Sequence, residues 1–339
     1  MTVLGMAVGI KRYSEEGRTQ TSINNGTPVP SARDMDATDV RLSQMLMVNS
    51  RVPYREMASK LGISVQAVHR RMQLLKEMGV VRDWVAVPSS DALGAIDLMV
   101  FGASRSRNME EVEEALGRSE NVDSAYIASG NVLYVGALLR DISELEGLTE
   151  HVRVSAAMPE PRVGIFSGQG RPLRERGVAP LTELEHRIIA SLHRDTRKSV
   201  ADVAAELGIS ARTVNRHIGR MARDGLVNFS IRWFPCECRD IIAMFQVELR
   251  PGADRAAVRS ALVRGHGAHV VEAMVFSNLP NLLILVTWST SSKEVEELQR
   301  AIEADGSVSS VMADILYKGC PFDSWRDKLV EAHGRGLSR

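Results

Sequence analysis

Two stretches of the chain place apolar residues at the spacing of one helical face and leave the opposite face polar. The apolar positions are Val68, Met72 and Leu75 in the first stretch, and Val214, Ile218 and Met221 in the second. Intervals of three and four positions predict an amphipathic helix that buries one side. The remaining side of both helices is exposed and rich in basic residues.

A short motif precedes both helices. It reads Leu61-Gly62-Ile63-Ser64 in the first copy and Leu207-Gly208-Ile209-Ser210 in the second, each after a short apolar helix. The glycine can adopt the positive φ of a tight turn, and the serine can cap the helix that follows. Two helices joined in this way predict a helix-turn-helix, whose second helix enters the major groove of DNA.

Further elements complete the first module. A helix start at residues 36–39 and a second helix over 54–61 precede the helix over 64–77. Gly79 ends that helix, and the β-branched residues of 80–87 predict a strand. The three helices and this strand predict a winged helix-turn-helix.

The next segment alternates strand and helix patterns. Strands are predicted at 96–103, 122–128 and 131–138, with a last one beginning near Val152, and helices at 108–118 and from about Asp141. The order βαββαβ predicts a four-stranded ferredoxin-like sheet with two helices on one face. The open face needs a cover, and a second copy of the sheet would supply it.

The whole pattern occurs twice. With an offset of 146 positions, residues 41–81 align with residues 187–227 without a gap, and 12 of the 41 pairs are identical. Strands follow near 241–249, 268–277, 281–288 and 308–318. The fold class is therefore α+β, with two winged helix-turn-helix modules alternating with two ferredoxin-like modules. The predicted domains are 1–35 (flexible leader), 36–87 and 181–234 (winged helix-turn-helix), 88–166 and 235–323 (ferredoxin-like), 167–180 (linker) and 324–339 (C-terminal helix or tail).

The distribution of charge changes the meaning of a net charge of zero. Residues 36–85 carry 8 Lys/Arg against 5 Asp/Glu, and residues 181–233 carry 9 against 6, so both segments are +3. Residues 86–166 carry 6 against 13, and residues 234–323 carry 8 against 12, which gives −7 and −4. A local positive face is sufficient for DNA binding, so the overall balance does not exclude it.

Apolar runs and cysteines in the sequence bear on the cellular compartment of the protein. No run of apolar residues approaches the roughly 18 that a membrane helix needs, and three cysteines do not make a disulfide framework. We therefore expect a cytoplasmic protein without a membrane partner. Cys236, Cys238 and Cys320 leave zinc binding or redox sensing open, although a C-x-C pair is a weak signal.

By these motifs the chain resembles the Lrp/AsnC transcription regulators of bacteria and archaea. The resemblance rests on Thr182-Glu183-Leu184-Glu185 before an apolar helix, on Leu-Gly-Ile-Ser followed by Thr213-Val214-Asn215-Arg216, and on Asp224-Gly225-Leu226-Val227, with a βαββαβ module behind. It implies a sequence-specific regulator whose sheets dimerise and, in some members, bind an amino acid. This chain differs by carrying two copies.

The DNA-binding residues predicted on the second helices are of types that bond to bases and phosphates. Arginine can bond to guanine with two donors, asparagine and glutamine to adenine, and a helix N-terminus to phosphate. The residues are Ser64, Gln66, His69, Arg70 and Arg71 in the first copy, and Ser210, Arg212, Asn215, Arg216 and Arg220 in the second. Because the two sets differ, we expect an asymmetric operator.

An effector site is also predicted. The turn at Ser129, Gly130 and Asn131 lies where the family builds its effector pocket, and its equivalent holds Asn278 and Asn281. A hairpin turn needs Gly and Asn for its backbone angles whatever its function, so a purely structural role stays open.

Two further alternatives remain. Some proteins that resemble these regulators are sirohaem decarboxylases, so an enzyme of tetrapyrrole synthesis is the competing function, although we expect no catalytic constellation and no cofactor. For assembly, residues 86–166 could pack against residues 234–323 of the same chain as a pseudo-dimer. Like modules of two chains could pair instead, and higher oligomers could form.

Overall fold

The computed structural model describes residues 34–167, 177–233 and 238–334. The remaining residues, including most of the predicted leader 1–35 and of the linker 167–180, lie outside the described part. No helix in the described part is long and apolar enough to cross a membrane.

The first module has three helices: α1 (Ala37–Val48), α2 (Tyr54–Leu61) and α3 (Val65–Glu77). Asp36 and Asp39 form a reciprocal capping box at the start of α1. Gly62 ends α2 at φ +67°, and the Ser64 hydroxyl accepts a hydrogen bond from the Ala67 amide at the start of α3. The predicted turn and cap are both confirmed.

A short helix α4 (Ser90–Leu93) follows the first module, and the second module repeats its three helices: α7 (Glu183–Leu192), α8 (Val200–Leu207) and α9 (Ala211–Arg223). Thr182 and Glu185 form a capping box, and Gly208 ends α8 at φ +66°. On the buried faces of α3 and α9, the predicted residues are buried except Ile218, which is partly buried.

Each module continues into one strand, β1 (Val81–Pro88) or β6 (Val227–Trp233), and these two strands pair antiparallel with each other. Trp84 lies opposite Ile231 and Val85 opposite Ser230. With the offset of 146 positions, Ser230 is the equivalent of Trp84, and Ile231 is the equivalent of Val85. The two pairs therefore join the same two positions in opposite order. An approximate two-fold axis therefore passes between the two strands and relates the modules.

The first ferredoxin-like module contains β2 (Ile96–Ala103), α5 (Met109–Leu116), β3 (Val122–Ala128), β4 (Val132–Leu139), α6 (Leu145–Ser155) and β5 (Arg162–Ile165). Its four strands, called sheet 1, have the order β5-β2-β4-β3. The prediction of a last strand near Val152 was wrong, because Val152 lies inside α6. Leu148 and Val152 are one helical turn apart and both are buried against the sheet, so packing overrides the β-branched pattern of 152–154.

The second ferredoxin-like module contains β7 (Ile241–Leu249), α10 (Arg255–Gly265), β8 (Val270–Val275), β9 (Leu282–Ser289), α11 (Ser292–Glu303) and β10 (Val308–Pro321). Its strands, called sheet 2, have the equivalent order β10-β7-β9-β8. Helices α10 and α11 cover one face of sheet 2, where Leu283 and Leu285 pack among their side chains.

The last strand of each sheet continues onto the other sheet, and these two strands, β5 and β10, are called the exchanged strands. The first part of β10 pairs with β7 of sheet 2, and its continuation from Leu316 to Pro321 pairs with β3 of sheet 1. In return, Phe166 just after β5 forms a β-bridge with Phe276 just after β8. The inner faces of both sheets meet in one core, which contains Met99, Phe101, Tyr134, Met244 and Ile284.

The helix-turn-helix modules contact the sheets in two different ways. The first contacts sheet 2 directly, since the Gln44 amide donates to the carbonyls of Val270 and Val271. The second packs on a C-terminal helix, α12 (Trp325–Gly334), which in turn lies on sheet 1. There the Trp325 indole donates to the Leu138 carbonyl at 2.8 Å.

Candidate nucleic-acid interface

Helix α3 has an exposed face of polar side chains. Ser64, Gln66, His69 and Arg70 are all exposed, whereas Val68 between them is fully buried. The His69 ring contacts the Tyr54 ring edge to face, with centroids 4.0 Å apart. Tyr54 therefore limits the orientation of His69.

Helix α9 presents a more basic face at the equivalent place. Ser210, Arg212, Asn215 and Arg216 are exposed, and Val214 is fully buried. The Ser210 hydroxyl accepts a hydrogen bond from the Thr213 amide, which fixes the N-terminal turn. Two arginines and one asparagine thus share the first two turns of a rigid helix.

Two of the predicted DNA-binding residues make other contacts. The Arg71 guanidinium lies 2.8 Å from the Asp36 carboxylate and 2.7 Å from that of Asp39, which is buried at the start of α1. The Arg220 guanidinium lies 2.5 Å from Glu185, which is fully buried at the start of α7. These ion pairs join the third helix of each module to its first, so both arginines hold the reading helices in place.

Glu185 and Asp39 occupy equivalent positions, and their partners differ. His217, the equivalent of Arg71, bonds through Nδ1 to Glu185 at 2.9 Å. Burial acts to raise the pKa of Glu185. Hydrogen bonds from His217, the backbone of Thr182 and Arg220 outweigh burial and lower the pKa to about 2.

The two modules meet at the turns between their first two helices. Arg51 donates to the Thr196 carbonyl. Arg197, the equivalent of Arg51, donates to the Val52 carbonyl at 3.0 Å and lies 4.4 Å from the centre of the Tyr54 ring. The sequence reasoning missed this junction, although the identity of Arg51 and Arg197 in the internal repeat was a signal for it.

The two predicted effector turns bond to the exchanged strands. Gly130 and Asn131 have φ values of +66° and +59°, which the turn requires. The Ser129 hydroxyl accepts a hydrogen bond from the Ile315 amide of β10. In the equivalent turn, the Asn278 side chain accepts from the Ile165 amide at 2.8 Å and donates to the Val163 carbonyl at 2.7 Å.

The backbone carbonyls of Asn131 and Asn281 also have equivalent roles, accepting from the Ser104 and Leu249 amides.

The cysteines do not converge in the described part: Cys238 packs on the core between the sheets, and Cys320 is buried under the helices of sheet 1. Cys236 lies outside the described residues, among which no metal-binding cluster of His, Cys, Asp and Glu occurs.

Fold and site together define a class, the α+β proteins with two winged helix-turn-helix modules in one chain. A winged helix-turn-helix DNA-binding family model matches residues 35–82 and 181–228. An uncharacterized HTH-type transcriptional regulator of Pyrococcus horikoshii is 31% identical over 119 residues, which is 34% of this chain and 80% of that protein. HTH-type transcriptional regulator LrpA of the same organism is 30% identical over 105 residues, or 31% of this chain and 74% of that protein. The chain belongs to the Lrp/AsnC family of HTH-type transcriptional regulators, as predicted.

Among solved structures, a likeness extends over the whole tandem arrangement. The siroheme decarboxylase NirDL matches with a TM-score of 0.57 at 15% identity, covering 89% of this chain and 98% of that chain. At this identity the likeness shows the fold alone. The tandem α+β architecture is thus confirmed by a solved structure.

Proposed function

We propose that the chain is a sequence-specific DNA-binding transcription regulator whose two reading helices, α3 and α9, contact one operator. The observation that carries the proposal is the pair of exposed polar and basic faces on these helices, held by buried caps and ion pairs. Such helices present their first turns to base edges in the major groove, and their N-termini to phosphates.

The two half-sites of the operator would differ in sequence. Arg212, Asn215 and Arg216 provide donors for guanine and adenine, whereas Gln66, His69 and Arg70 provide a different set. We expect the two helices to lie about one turn of DNA apart, near 34 Å, as in two-fold dimers, and the approximate two-fold axis between β1 and β6 supports this arrangement. Arg71 and Arg220 would contribute by orienting the helices, and a phosphate contact from either remains part of the proposal.

The charge pattern supports one orientation on DNA. The helix-turn-helix segments carry a positive charge, and the two sheet modules carry −7 and −4. Like charges repel, so the acidic modules would turn away from the phosphates while the reading helices approach them.

Selection from a pool of random duplexes tests the proposal. An enriched motif with two unlike half-sites is the expected result, and its affinity should fall as salt rises because phosphate contacts release counterions. The proposal fails if no motif is enriched at moderate salt by a protein whose circular dichroism shows it to be folded.

The competing function, an enzyme of tetrapyrrole synthesis, is supported by the likeness of the fold to that of NirDL. We assign no reaction to this chain. The inner faces of the two sheets are packed against each other by large apolar side chains, including Phe101, Met244 and Ile284. Visible absorption spectra with and without an iron porphyrin distinguish the two functions. A saturable spectral shift together with absence of DNA selection would favour the enzyme.

An amino-acid effector at residues 129–131, Asn278 and Asn281 competes with a structural role for these turns. The hydrogen bonds of Ser129 and Asn278 to the exchanged strands favour a structural role for both turns.

For assembly, the packing of sheet 1 on sheet 2 supports a one-chain pseudo-dimer as the DNA-binding unit. Light scattering at DNA-binding concentration, compared with the chain mass of 37.3 kDa, tests it.

A further inference from the structure

The contact between the two sheets has two halves, which the approximate two-fold axis relates but which differ in chemistry. In one half, the Tyr134 hydroxyl of sheet 1 donates to the Asp314 carboxylate of sheet 2 at 2.5 Å. The Gln246 amide donates to both, at 2.9 and 3.0 Å. All three side chains are buried, so this half is a closed polar cluster.

The strand registers identify the residues at the related positions. Tyr134 pairs with Phe101 across β4 and β2, and Ile284 pairs with Gln246 across β9 and β7, so Ile284 is the counterpart of Tyr134. In the same way Phe101 is the counterpart of Gln246. Gly164, opposite Met99, is the counterpart of Asp314, opposite Met244. The second half of the contact is therefore apolar.

The second half is also closely packed. A Cβ added to Gly164 would lie 2.4 Å from the Phe276 ring, closer than real Cβ contacts. The counterpart of Phe276 is Ala128, which pairs with Leu316 as Phe276 pairs with Phe166. Phe276 thus faces Gly164 in one half, and in the other half Ala128 takes the position of Phe276 and Asp314 takes that of Gly164.

From this complementarity we infer that the two sheets are built to pair with each other and to reject pairing with a second copy of themselves. If sheet 2 met another sheet 2, Asp314 would occupy the place of Gly164 against Phe276. Its carboxylate would face Ile284 in place of the Tyr134 hydroxyl. That arrangement combines a steric clash with the loss of one of the two donors to the buried Asp314 carboxylate, because only the Gln246 amide of its own sheet would remain.

Pairing of sheet 1 with another sheet 1 would leave a buried donor without an acceptor and a space without a side chain. Tyr134 would face Gly164 and Phe101, so its buried hydroxyl would have no acceptor among these side chains, and Gly164 beside Ala128 would leave a gap. Specificity between similar partners depends on such penalties as much as on attraction. The interaction surface therefore fits an unlike sheet, whether in the same chain or in a second chain.

The test must remove the tether, because linking the sheets raises their effective concentration whatever their preference. A protease recognition sequence placed between Ser167 and Gly177 allows the complete chain to be cut while unfolded in urea. After removal of urea, native mass spectrometry measures the amounts of the three pairs: first half with second half, first with first, and second with second.

In the unaltered sequence, unlike pairs should exceed random pairing by more than tenfold. The double variant Asp314→Gly/Gln246→Phe removes the carboxylate and the clash between two copies of sheet 2. It should lower the excess of unlike pairs at least tenfold, with pairs of the second half appearing. Met244→Leu, on the same inner face, is the matched control and should keep the original ratio.

Two outcomes would overturn the inference: random pairing by the unaltered sequence, or an unchanged excess of unlike pairs in the folded double variant. If the double variant does not refold, Tyr134→Phe serves in its place, since it removes only the hydroxyl. It should lower the excess of unlike pairs at least threefold, and an unchanged ratio there would equally contradict the inference.

Discussion

The side-chain hydroxyls of Ser50 and Thr196 lie 2.7 Å apart, and the two residues occupy equivalent positions in the two copies of the helix-turn-helix. Both are fully buried. A residue that contacts its own equivalent lies on a symmetry axis, as in the interface of a two-fold dimer. Internal duplication has therefore kept a dimer-like junction between the reading modules inside one chain.

The junction predicts the effect of removing one hydroxyl. Thr196→Val preserves the shape and leaves the Ser50 hydroxyl buried without this partner, which should cost about 1–3 kcal/mol of unfolding free energy. In the double variant Ser50→Ala/Thr196→Val neither hydroxyl remains, so part of the loss should be recovered. Urea unfolding measures these two variants and the single variant Ser50→Ala, and a double variant as unstable as the sum of the two singles would show that the hydroxyls are not coupled.

Arg216→Ala should reduce discrimination between the preferred base pair and its alternatives by about 1–3 kcal/mol at one half-site. Arg70→Ala should do the same at the other half-site, because both side chains are exposed on reading helices. Competition binding with single-base operator variants measures the effect. Lys293→Ala removes the same charge from an exposed position on α11 and should leave discrimination unchanged; an equal loss there would point to a nonspecific charge effect.

Gly164→Ala should destabilise the fold by about 1–3 kcal/mol, since the new methyl group would overlap the Phe276 ring. Gly147→Ala is the matched control, because nothing lies within 4 Å of its added Cβ and it lies within α6. The control should be neutral or stabilising by about 0.5–1 kcal/mol. Equal thermal or urea stability of both variants would contradict the close packing of Gly164.

Glu185 predicts a stability loss in acid. Its pKa is about 2 in the folded chain and 4.5 in an unperturbed side chain, so the folded state binds the proton more weakly. The contribution is fully present above pH 4.5 and is lost as the pH falls from 4.5 to 2, on the order of 2–3 kcal/mol in total. Glu185→Gln should flatten urea stability over this window, and an unchanged slope would refute the assignment.

Asp123 predicts a slope of opposite sign. Burial raises its pKa to about 6 against the opposing effect of the Arg326 guanidinium and the Ser124 hydroxyl. Since the folded state holds this proton more tightly, the Asp123 contribution to unfolding free energy should fall as pH rises from 3.8 to 6, on the order of 2–3 kcal/mol. Asp123→Asn should remove that fall. A variant with the same pH profile as the original sequence would disprove it.

The local elements were largely predictable because each follows from its own periodicity. The faces of α3 and α9, their caps at Ser64 and Ser210 and the strand over 96–103 agree with the sequence patterns. The error at Val152 arose where a helix contains β-branched residues. The spacing of Leu148 and Val152, one helical turn apart, was the helical signal, and burial of both against sheet 1 outweighed the β-branched pattern.

The relations between elements were less predictable. The ion pairs of Arg71 and Arg220 depend on how the first helix approaches the third, so the sequence did not predict these contacts. The change of partner along β10 depends on registers between residues far apart in the chain. Periodicity fixes which face of a strand is apolar, and it does not specify the neighbouring strand.

The path of β10 has a consequence for synthesis on the ribosome. Ala128 of β3 finds its partner in Leu316, which is made roughly 190 residues later. At about 5–20 residues per second, this is a delay on the order of 10–40 s. During that time β3 is an open edge, able to pair with other nascent chains. A stop codon in place of Leu316 would make this exposure permanent, although the truncation removes only 24 of the 339 residues.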